Sequence, residues 1–442
     1  MNASFLWPIA YNWLGVPLMW TALRVGAAVD GKVRAAYRGR KKWLEELRQQ
    51  LRTSRRGPTE TLWFHMPSVG EYEQAKPIMR ALYPEYRIVA TCFSPSVIEM
   101  LRRFPYQDAA IYLPLDSRRN VRRLFDQIAP KALVFSKFDV WPNCVWEARR
   151  RGVPLALIAG TLHRTSRRLR PGGRSLFREL HGGFAVQCAV SEEDAARLRE
   201  LSPPGARILV TGDTRFDAVY ERASSPPERP LLPREPWEGA FVLVAGSTYL
   251  DEERKLIPQF AAVRERLSDA RLILVPHEPT PRHLEQSEAI LQEVGLRSVR
   301  YSQVEAGASL AEVHVVLVDR VGLLAHLYGY GDVAYVGGSF RARVHNVMEP
   351  AVLERPILIG PYMDNSPEAY GLIERGAILR VETPEQFQQA LVHLAEHPQE
   401  RVWRGRQGRE YILQNLGATE RTLQALRETV LTGKRSAEAA SA

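Results

Sequence analysis

The sequence is poor in cysteine and lacks several familiar signatures, and each absence closes a class of chemistry. Cys92, Cys144 and Cys188 stand far apart and outside any CxxC spacing. This excludes a disulfide framework and a thiolate zinc site, and it fits a reducing compartment. No GxGxxG follows the first strand-like run and no GxxxxGK[ST] occurs, so neither a dinucleotide fingerprint nor a P-loop is present. His277 and His283 are six positions apart, with Pro279 and Pro281 between them. Proline forbids the helix that would put both rings on one face. No metal site and no cofactor are expected, and no serine–histidine–acid set stands out. Low-complexity tracts and solenoid repeats are also missing.

Charge is missing from Phe5 to Leu23, a run that carries Trp7, Trp13 and Trp20. Nineteen helical residues would reach about 28 Å, close to the hydrocarbon thickness of a bilayer. Arg24, Lys32, Arg34, Arg38, Arg40, Lys41 and Lys42 follow, against Asp30 alone, and positive charge beyond an apolar segment marks the cytoplasmic side. No positive charge precedes the run, which argues against a cleaved signal peptide. Pro8, Asn12, Gly15 and Pro17 interrupt it, so a crossing helix and one lying in the interface both stay open. Either form works at a membrane.

What is present is a chain of 442 residues, 45% hydrophobic and 25% charged, enough for two domains with separate cores. Its net charge of +10 and pI of about 9.6 fit a nucleic-acid, anionic-membrane or phosphorylated-substrate partner. Apolar strand-like runs at Thr61–His65, Arg87–Cys92, Ala109–Leu113, Ala132–Ser136, Pro154–Ala159, Phe184–Val190 and Arg207–Thr211 alternate with amphipathic stretches. Such alternation predicts a doubly wound, mostly parallel sheet. Residues 223–236 hold five prolines in fourteen positions and read as a semi-rigid linker. The alternation then restarts at Phe241–Ala245, Arg271–Val275, Val313–Val318, Asp332–Val336 and Pro356–Ile359. The expected layout is a membrane segment with a basic collar (1–45), a first Rossmann-like domain (46–222), the linker, a second Rossmann-like domain (237–425) and a polar tail (426–442). Two such domains would leave a central cleft between them for ligands.

Candidate site residues cluster where strands end. The first run closes in Pro67, Ser68, Val69, Gly70 and Glu71. Gly70 has no Cβ to keep a substrate from the backbone. Glu71 at a helix start is either a first-turn acid or a general base in the ligand crevice. Gly246, Ser247 and Thr248 repeat the design before a helix Glu252–Arg266, and Gly337, Gly338 and Ser339 repeat it again. A helix expected from near His345 would add free N–H groups to those of the paired glycines, making an anion site for a nucleotide phosphate. On that helix Glu349 would lie one turn from His345 and accept ribose hydroxyls.

Taken together, these segments resemble the Kdo transferases, which attach 3-deoxy-D-manno-octulosonic acid to the lipid A precursor. The markers are S-V-G-E at 68–71, W-P-N at 141–143, V-T-G-D-T-R-F-D at 210–217, G-S-T at 246–248, D-R-V-G-L-L at 319–324 and G-G-S-F-R-A-R-V-H-N-V-M-E-P at 337–350. The resemblance implies a GT-B glycosyltransferase of inverting type at the cytoplasmic face of the inner membrane. The acceptor would bind the first domain and CMP-Kdo the second. It implies that Glu71 is the general base, that Asp139 (where glutamate is usual) helps stabilise the transition state, and that Arg215 (where lysine is common) acts electrostatically. His277 and Glu278, Val321, Gly322 and Leu323, and Asn346, Val347, Met348 and Glu349 match positions that hold the cytidine nucleotide; the His277–Glu278 pair departs from the family's Arg-His. The partners implied are CMP-Kdo, a lipid A precursor and an anionic leaflet, with no nucleic acid. The rival readings are a GT-B transferase using a UDP-sugar on a membrane lipid, and a basic, membrane-tethered nucleotide-binding protein without activity.

Overall fold

A computed structural model describes residues 6–54, 59–225, 227–233 and 235–432. The chain divides into two compact units, one made of residues up to Asp217 with the chain from Leu416 onward, the other of Ala218–Asn415. In the first unit the strands are β1 (Thr61–Met66), β2 (Arg87–Cys92), β3 (Ala109–Tyr112), β4 (Pro130–Ser136), β5 (Leu155–Gly160), β6 (Phe184–Ala189) and β7 (Ile208–Val210). They form one sheet in the order β3-β2-β1-β4-β5-β6-β7, parallel throughout. β1, at its centre, is buried at every position, as a strand covered by helices on both faces must be.

The second unit repeats the plan with β8 (Val242–Thr248), β9 (Arg271–Pro276), β10 (Ser298–Arg300), β11 (Val315–Leu317), β12 (Val333–Val336), β13 (Ile357–Ile359) and β14 (Ile378–Arg380). Their order is β10-β11-β9-β8-β12-β13-β14, again all parallel. The sequence pattern anticipates twelve of these strands and misses β10 and β14. Those two are three-residue edge strands, too short to show a period.

The domain limits differ from expectation at the C-terminus. The helix Ala418–Thr429 returns to the first unit, where Leu423, Ala425, Leu426 and Val430 join the core under β1 and β2. Asp217 caps its start, its carboxylate accepting the N–H of Gly417 (2.7 Å) and Thr419 (2.6 Å). Arg421 donates to the Thr211 carbonyl (2.9 Å). An amphipathic helix announces that it has an apolar face but not which sheet will cover it. Of the expected tail, residues 433–442 lie outside the described residues. In the proline-rich stretch, where Pro226 and Arg234 are also outside them, the N–H groups of Leu231 and Leu232 donate to the Tyr330 hydroxyl at 2.9 and 3.2 Å. That part of the linker is fastened to the second unit.

At the other end, a helix Leu6–Ala10, a π-turn Tyr11–Gly15 and a helix Val16–Val29 lead to a long helix Gly31–Thr53, capped by the Asp30 carboxylate on the Val33 N–H (2.9 Å). No helix among the described residues is long and apolar enough to cross a membrane, so the crossing form is not among the elements found. Three of its side chains reach the rest of the unit with polar groups. Trp7 reaches Ser175, Tyr11 reaches Asp116 and Asn12 reaches Asn143. Trp13, Leu14, Leu18, Val25 and Val29 are more than half exposed. The basic collar is also not uniform. Trp43 and Leu47 enter the core, and Arg40 is buried with its guanidinium 4.1 Å over Phe93, donating to that residue's carbonyl (2.6 Å).

Leu426→Ala removes a fully buried side chain from the returning helix. It is expected to cost the first unit about 2–5 kcal/mol in urea unfolding. A loss near zero would mean that the helix does not belong to that core.

Candidate functional site

In a parallel sheet, ligands gather beyond the carboxyl ends of the strands where strand order reverses. In the first unit that point lies between β1 and β4, and the loops after these two strands carry Glu71 and Asp139. Ser68 opens the helix Val69–Leu82 in an extended conformation, but its hydroxyl bonds the Glu71 carboxylate and not a backbone N–H. Glu71 is buried (5% exposed). Its carboxylate lies 3.4 Å from the Lys137 ammonium, and its backbone carbonyl accepts the Ser136 hydroxyl (3.1 Å). Lys137 takes φ of 70°, the left-handed region that costs a side-chain-bearing residue about 1 kcal/mol. A Cβ on Gly70 would meet only the Ser68 hydroxyl, at 3.9 Å. Packing does not require glycine there.

Asp139, 29% exposed, lies beside His65 and Trp141. The indole N–H of Trp141 is shared between Asp139 Oδ2 (3.1 Å) and His65 Nε2 (3.0 Å). A donor facing Nε2 requires that atom to accept, so the His65 proton is assigned to Nδ1, which reaches Thr91 Oγ1 at 3.0 Å. The loop is thereby tied to β1 and β2. Arg215 binds the buried Asp213 through its backbone N–H (3.0 Å), Nε (2.9 Å) and Nη2 (2.7 Å). Burial pushes the Asp213 carboxyl up, but Arg215 outweighs it and the group ends below the usual carboxylate range. Gln74, one turn after Glu71, also donates to Asp213 (3.3 Å). Thus the Glu71 helix is tied to both β4 and the segment of Arg215.

In the second unit the reversal lies between β8 and β12, and here the structure corrects two expectations. The paired glycines are demanded by packing: a Cβ on Gly337 would lie 2.3 Å from the Ser247 carbonyl oxygen, and one on Gly338 (φ 82°) 2.1 Å from that of Arg343. Their amides are not open. Gly337 N–H donates to the Gly246 carbonyl (2.8 Å). Gly338 and Phe340 donate to the buried Glu252 carboxylate at 2.8 and 3.0 Å, which also accepts the Tyr335 hydroxyl (2.9 Å). An internal carboxylate occupies the place foreseen for phosphate. Ser339 is likewise internal, bonding the Val336 carbonyl and the Gly360 N–H. Nor does a helix begin at His345. It spans Met348–Val352, with Asn346 Oδ1 accepting the Met348 N–H (3.0 Å), because residues 340–347 are used in closing the turn on Glu252 and Gly338. Glu349 sits in its first turn and pairs with Arg222 (2.7 Å).

His345 instead stacks on His277, with centroids 4.3 Å apart, and Tyr249 packs on both rings. Arg341 lies 4.6 Å over Tyr249. Burial, with help from His277, pushes His345 down to about 4. Burial also lowers His277, although Glu278 opposes it. His345 Nε2 is buried without a hydrogen-bond partner among the described residues. Beside the stack a cavity of about 520 Å³ is lined by Tyr249, Arg254, Glu278, Arg282, His283 and Arg341 among others. Ser247 takes φ of 55°, while Thr248 donates to Glu253 (2.7 Å). Val321, Gly322 and Leu323 follow β11 on the same carboxyl edge. Val321 is 75% exposed, and Gly322 (φ 88°) has open space around it.

Sequence reasoning missed Lys137, Tyr249, Glu252 and Arg341. Lys137 and Tyr249 each follow a strand end directly, so the strand-end rule that found Glu71 reaches them when applied to every strand. Glu252 and Arg341 carry no such signal. Among the described residues no group of three or more His, Cys, Asp or Glu could hold a metal ion.

The ring stack generates a pH dependence. The unfolded chain takes up a proton at His345 near 6.5, the folded protein only near 4. Between those values the unfolded state binds more protons, so the second unit loses stability as pH falls through the window. Urea unfolding at pH 7 and pH 5 should show that loss in the wild type and less of it in His345→Phe; equal slopes would refute the assignment.

Comparison with known proteins gives the family and the fold. Residues 41–218 match the family model described as 3-Deoxy-D-manno-octulosonic-acid transferase (kdotransferase). The chain is 30% identical over 385 residues to the 3-deoxy-D-manno-octulosonic acid transferase of Bordetella pertussis, covering 83% of this chain and 87% of that protein. It is 28% identical over 389 residues to the protein of the same name from Chlamydophila psittaci, covering 85% and 86%. In fold alone it is similar to a glycosyltransferase from Rickettsia africae, with a TM-score of 0.57 over 86% of this chain and 100% of that one at 10% identity. The chain belongs to the 3-deoxy-D-manno-octulosonic acid (Kdo) transferase family and is a Kdo-transferring glycosyltransferase of GT-B fold.

Proposed function

We propose that the enzyme transfers Kdo, with inversion, from CMP-Kdo to a phosphorylated lipid A precursor in lipopolysaccharide inner-core synthesis, and that Glu71 is its general base. The observation that carries this reading is the buried Glu71 carboxylate at the β1–β4 reversal, beside Lys137 and the open space at Gly70. The acceptor hydroxyl gives its proton to Glu71 as its oxygen bonds to the anomeric carbon. On the opposite side the bond from that carbon to the phosphate oxygen breaks, and CMP leaves with the electron pair. Positive charge builds on the sugar as the bond breaks. Asp139, oriented by the Trp141 N–H, stabilises that charge, while Arg215 contributes a fixed positive charge for the anionic groups.

On the second unit the reading assigns the cytidine nucleotide to His277, Glu278, Val321, Gly322, Leu323 and the stretch Asn346, Val347, Met348 and Glu349, with Ser247 and Thr248 at the phosphate. The Tyr249–His277–His345 stack offers a flat face for a ring. Glu349, paired with Arg222, is the acid that this reading assigns to the ribose hydroxyls. Gly337, Gly338, Ser339 and Ser68 serve as scaffolding in this account.

The N-terminal segment suits an anionic leaflet at the cytoplasmic face of the inner membrane in the interfacial form. Its exposed tryptophan and leucine side chains sit beside exposed Arg24, Arg38, Lys41 and Lys42. An acceptor presented in that leaflet would meet the first unit.

Two variants test the reading. Glu71→Ala should lower Kdo transfer from CMP-Kdo to a tetraacyl lipid A precursor, followed by mass spectrometry, by at least about a hundredfold. CMP binding measured by calorimetry should persist; near-normal turnover would remove Glu71 from the role. Gly70→Ala should make the protein slightly more stable, because alanine favours helix over glycine by about 0.5–1 kcal/mol. The added methyl should nonetheless obstruct the acceptor, and unchanged transfer would show that no substrate approaches there.

A further inference from the structure

The contacts of Tyr11 and Asn12 in the N-terminal segment converge on one point of the first unit. Tyr11 donates its hydroxyl to Asp116 Oδ2 (2.9 Å) and sets its ring edge-on to Trp146, with centroids 5.8 Å apart. Asn12 and Asn143 exchange two amide hydrogen bonds of 3.0 Å each. The second amide hydrogen of Asn12 goes to the Pro8 carbonyl (2.8 Å), and that of Asn143 to the Asp116 carbonyl (2.6 Å). All four hydrogens are used, which fixes the orientation of both amides.

Asp116 is fully buried and does the work of a helix cap. The helix Pro142–Arg151 begins after Trp141, whose side chain makes no capping bond. Its early N–H at Asn143 donates to Asp116 Oδ2 (3.0 Å), the oxygen that Tyr11 also reaches, and the Cys144 thiol faces the other oxygen (3.6 Å). Directly before this helix runs the loop 137–141, with Lys137 on Glu71 at one end and Asp139 under Trp141 near the other.

We propose that Tyr11 and Asn12 are positioning residues for transfer: by closing on Asp116 and Asn143 they fix the start of the helix Pro142–Arg151, and with it the loop that carries Lys137 and Asp139. The inference rests on the reading of Glu71 and Asp139 given above. It makes the segment that faces the membrane part of the catalytic frame, so that its seating and the geometry of the loop are one event. Without these contacts a buried carboxylate and an amide pair lose partners that no other described residue of the segment supplies. The loop then samples positions in which Asp139 is misplaced, and small displacements at a reacting centre are costly in rate.

The test uses the full-length enzyme in detergent micelles with CMP-Kdo and tetraacyl lipid A precursor, so that membrane binding is not needed for turnover. Tyr11→Phe and Asn12→Ala are each compared with wild type and with Glu71→Gln. The expected result is kcat lowered by about tenfold in both N-terminal variants, with KM for CMP-Kdo unchanged. Hydrogen exchange should quicken in residues 137–145, and pelleting with phosphatidylglycerol vesicles should stay as in wild type. Wild-type kcat in both variants, with Glu71→Gln inactive, would overturn the proposal and leave the segment as an anchor only. Loss confined to vesicle pelleting would overturn it equally. An active Glu71→Gln would refute the reading of the base on which the proposal stands.

Discussion

Parallel pairing is the constraint from which the rest follows. With every strand of a sheet running the same way, all carboxyl ends lie on one edge, and the helices must alternate in face where strand order turns back. That reversal occurs once in each unit, at β1–β4 and at β8–β12. The loops after those four strands hold Glu71, Lys137 and Asp139 in one unit and Tyr249 and His345 in the other. Because central strands are covered on both faces, a polar residue inside one needs an internal partner, as Thr91 and Tyr335 have, and groups meant for a ligand go to the strand ends. Chemistry collects at those ends because the middle has no room for it.

Much of this was legible beforehand. Seven apolar runs in the first half and five in the second correspond to strands, since a strand buried on both faces must be continuously apolar. The small-residue turns marked the right corners for the same reason. What was not legible depends on tertiary partners. Gly70 and Gly337 look alike in the sequence, each following a strand. Yet one faces open space and the other lies against the backbone of Ser247. Arg40 belongs to a run of basic residues but points inward to Phe93. The helix near His345 fails to start because that stretch closes a turn around Glu252. No local pattern distinguishes these cases; only the packing does.

The carboxylates that hold the backbone supply the more general lesson. Asp116, Asp217 and Glu252 each accept backbone N–H groups at helix starts or turns, the groups that an anionic ligand would otherwise use. The protein thus satisfies its own donors internally. Burial without enough compensation is uncomfortable for such a group: it pushes Asp116 up to about 6, although bonds from Asn143 and Tyr11 pull against it. Its folded-state value lies above the unfolded one, so its favourable contribution is complete below about 3.8 and is lost as pH rises through 6. The donors from Tyr11 and Asn143 are therefore what make the ionised group tolerable at neutral pH.

If backbone amides are spoken for, the electrostatics of an anionic donor must come from side chains. The cationic side chains beside the ring stack of the second unit are arginines. Arg254, Arg282 and Arg341 line the cavity beside the ring stack, and Arg341 is braced over Tyr249. Guanidinium groups stay charged at any working pH and meet carboxylate or phosphate in bidentate fashion. Burial lowers His277 and His345, whereas the bond to Glu253 raises His283, which also lines the cavity. A sugar carboxylate and a phosphodiester, one charge each, need no more than a few such cations. Burial separates two roles: carboxylates inside hold the backbone, while Arg254, Arg282 and Arg341 share the cavity edge with the exposed Asp251 and Glu278.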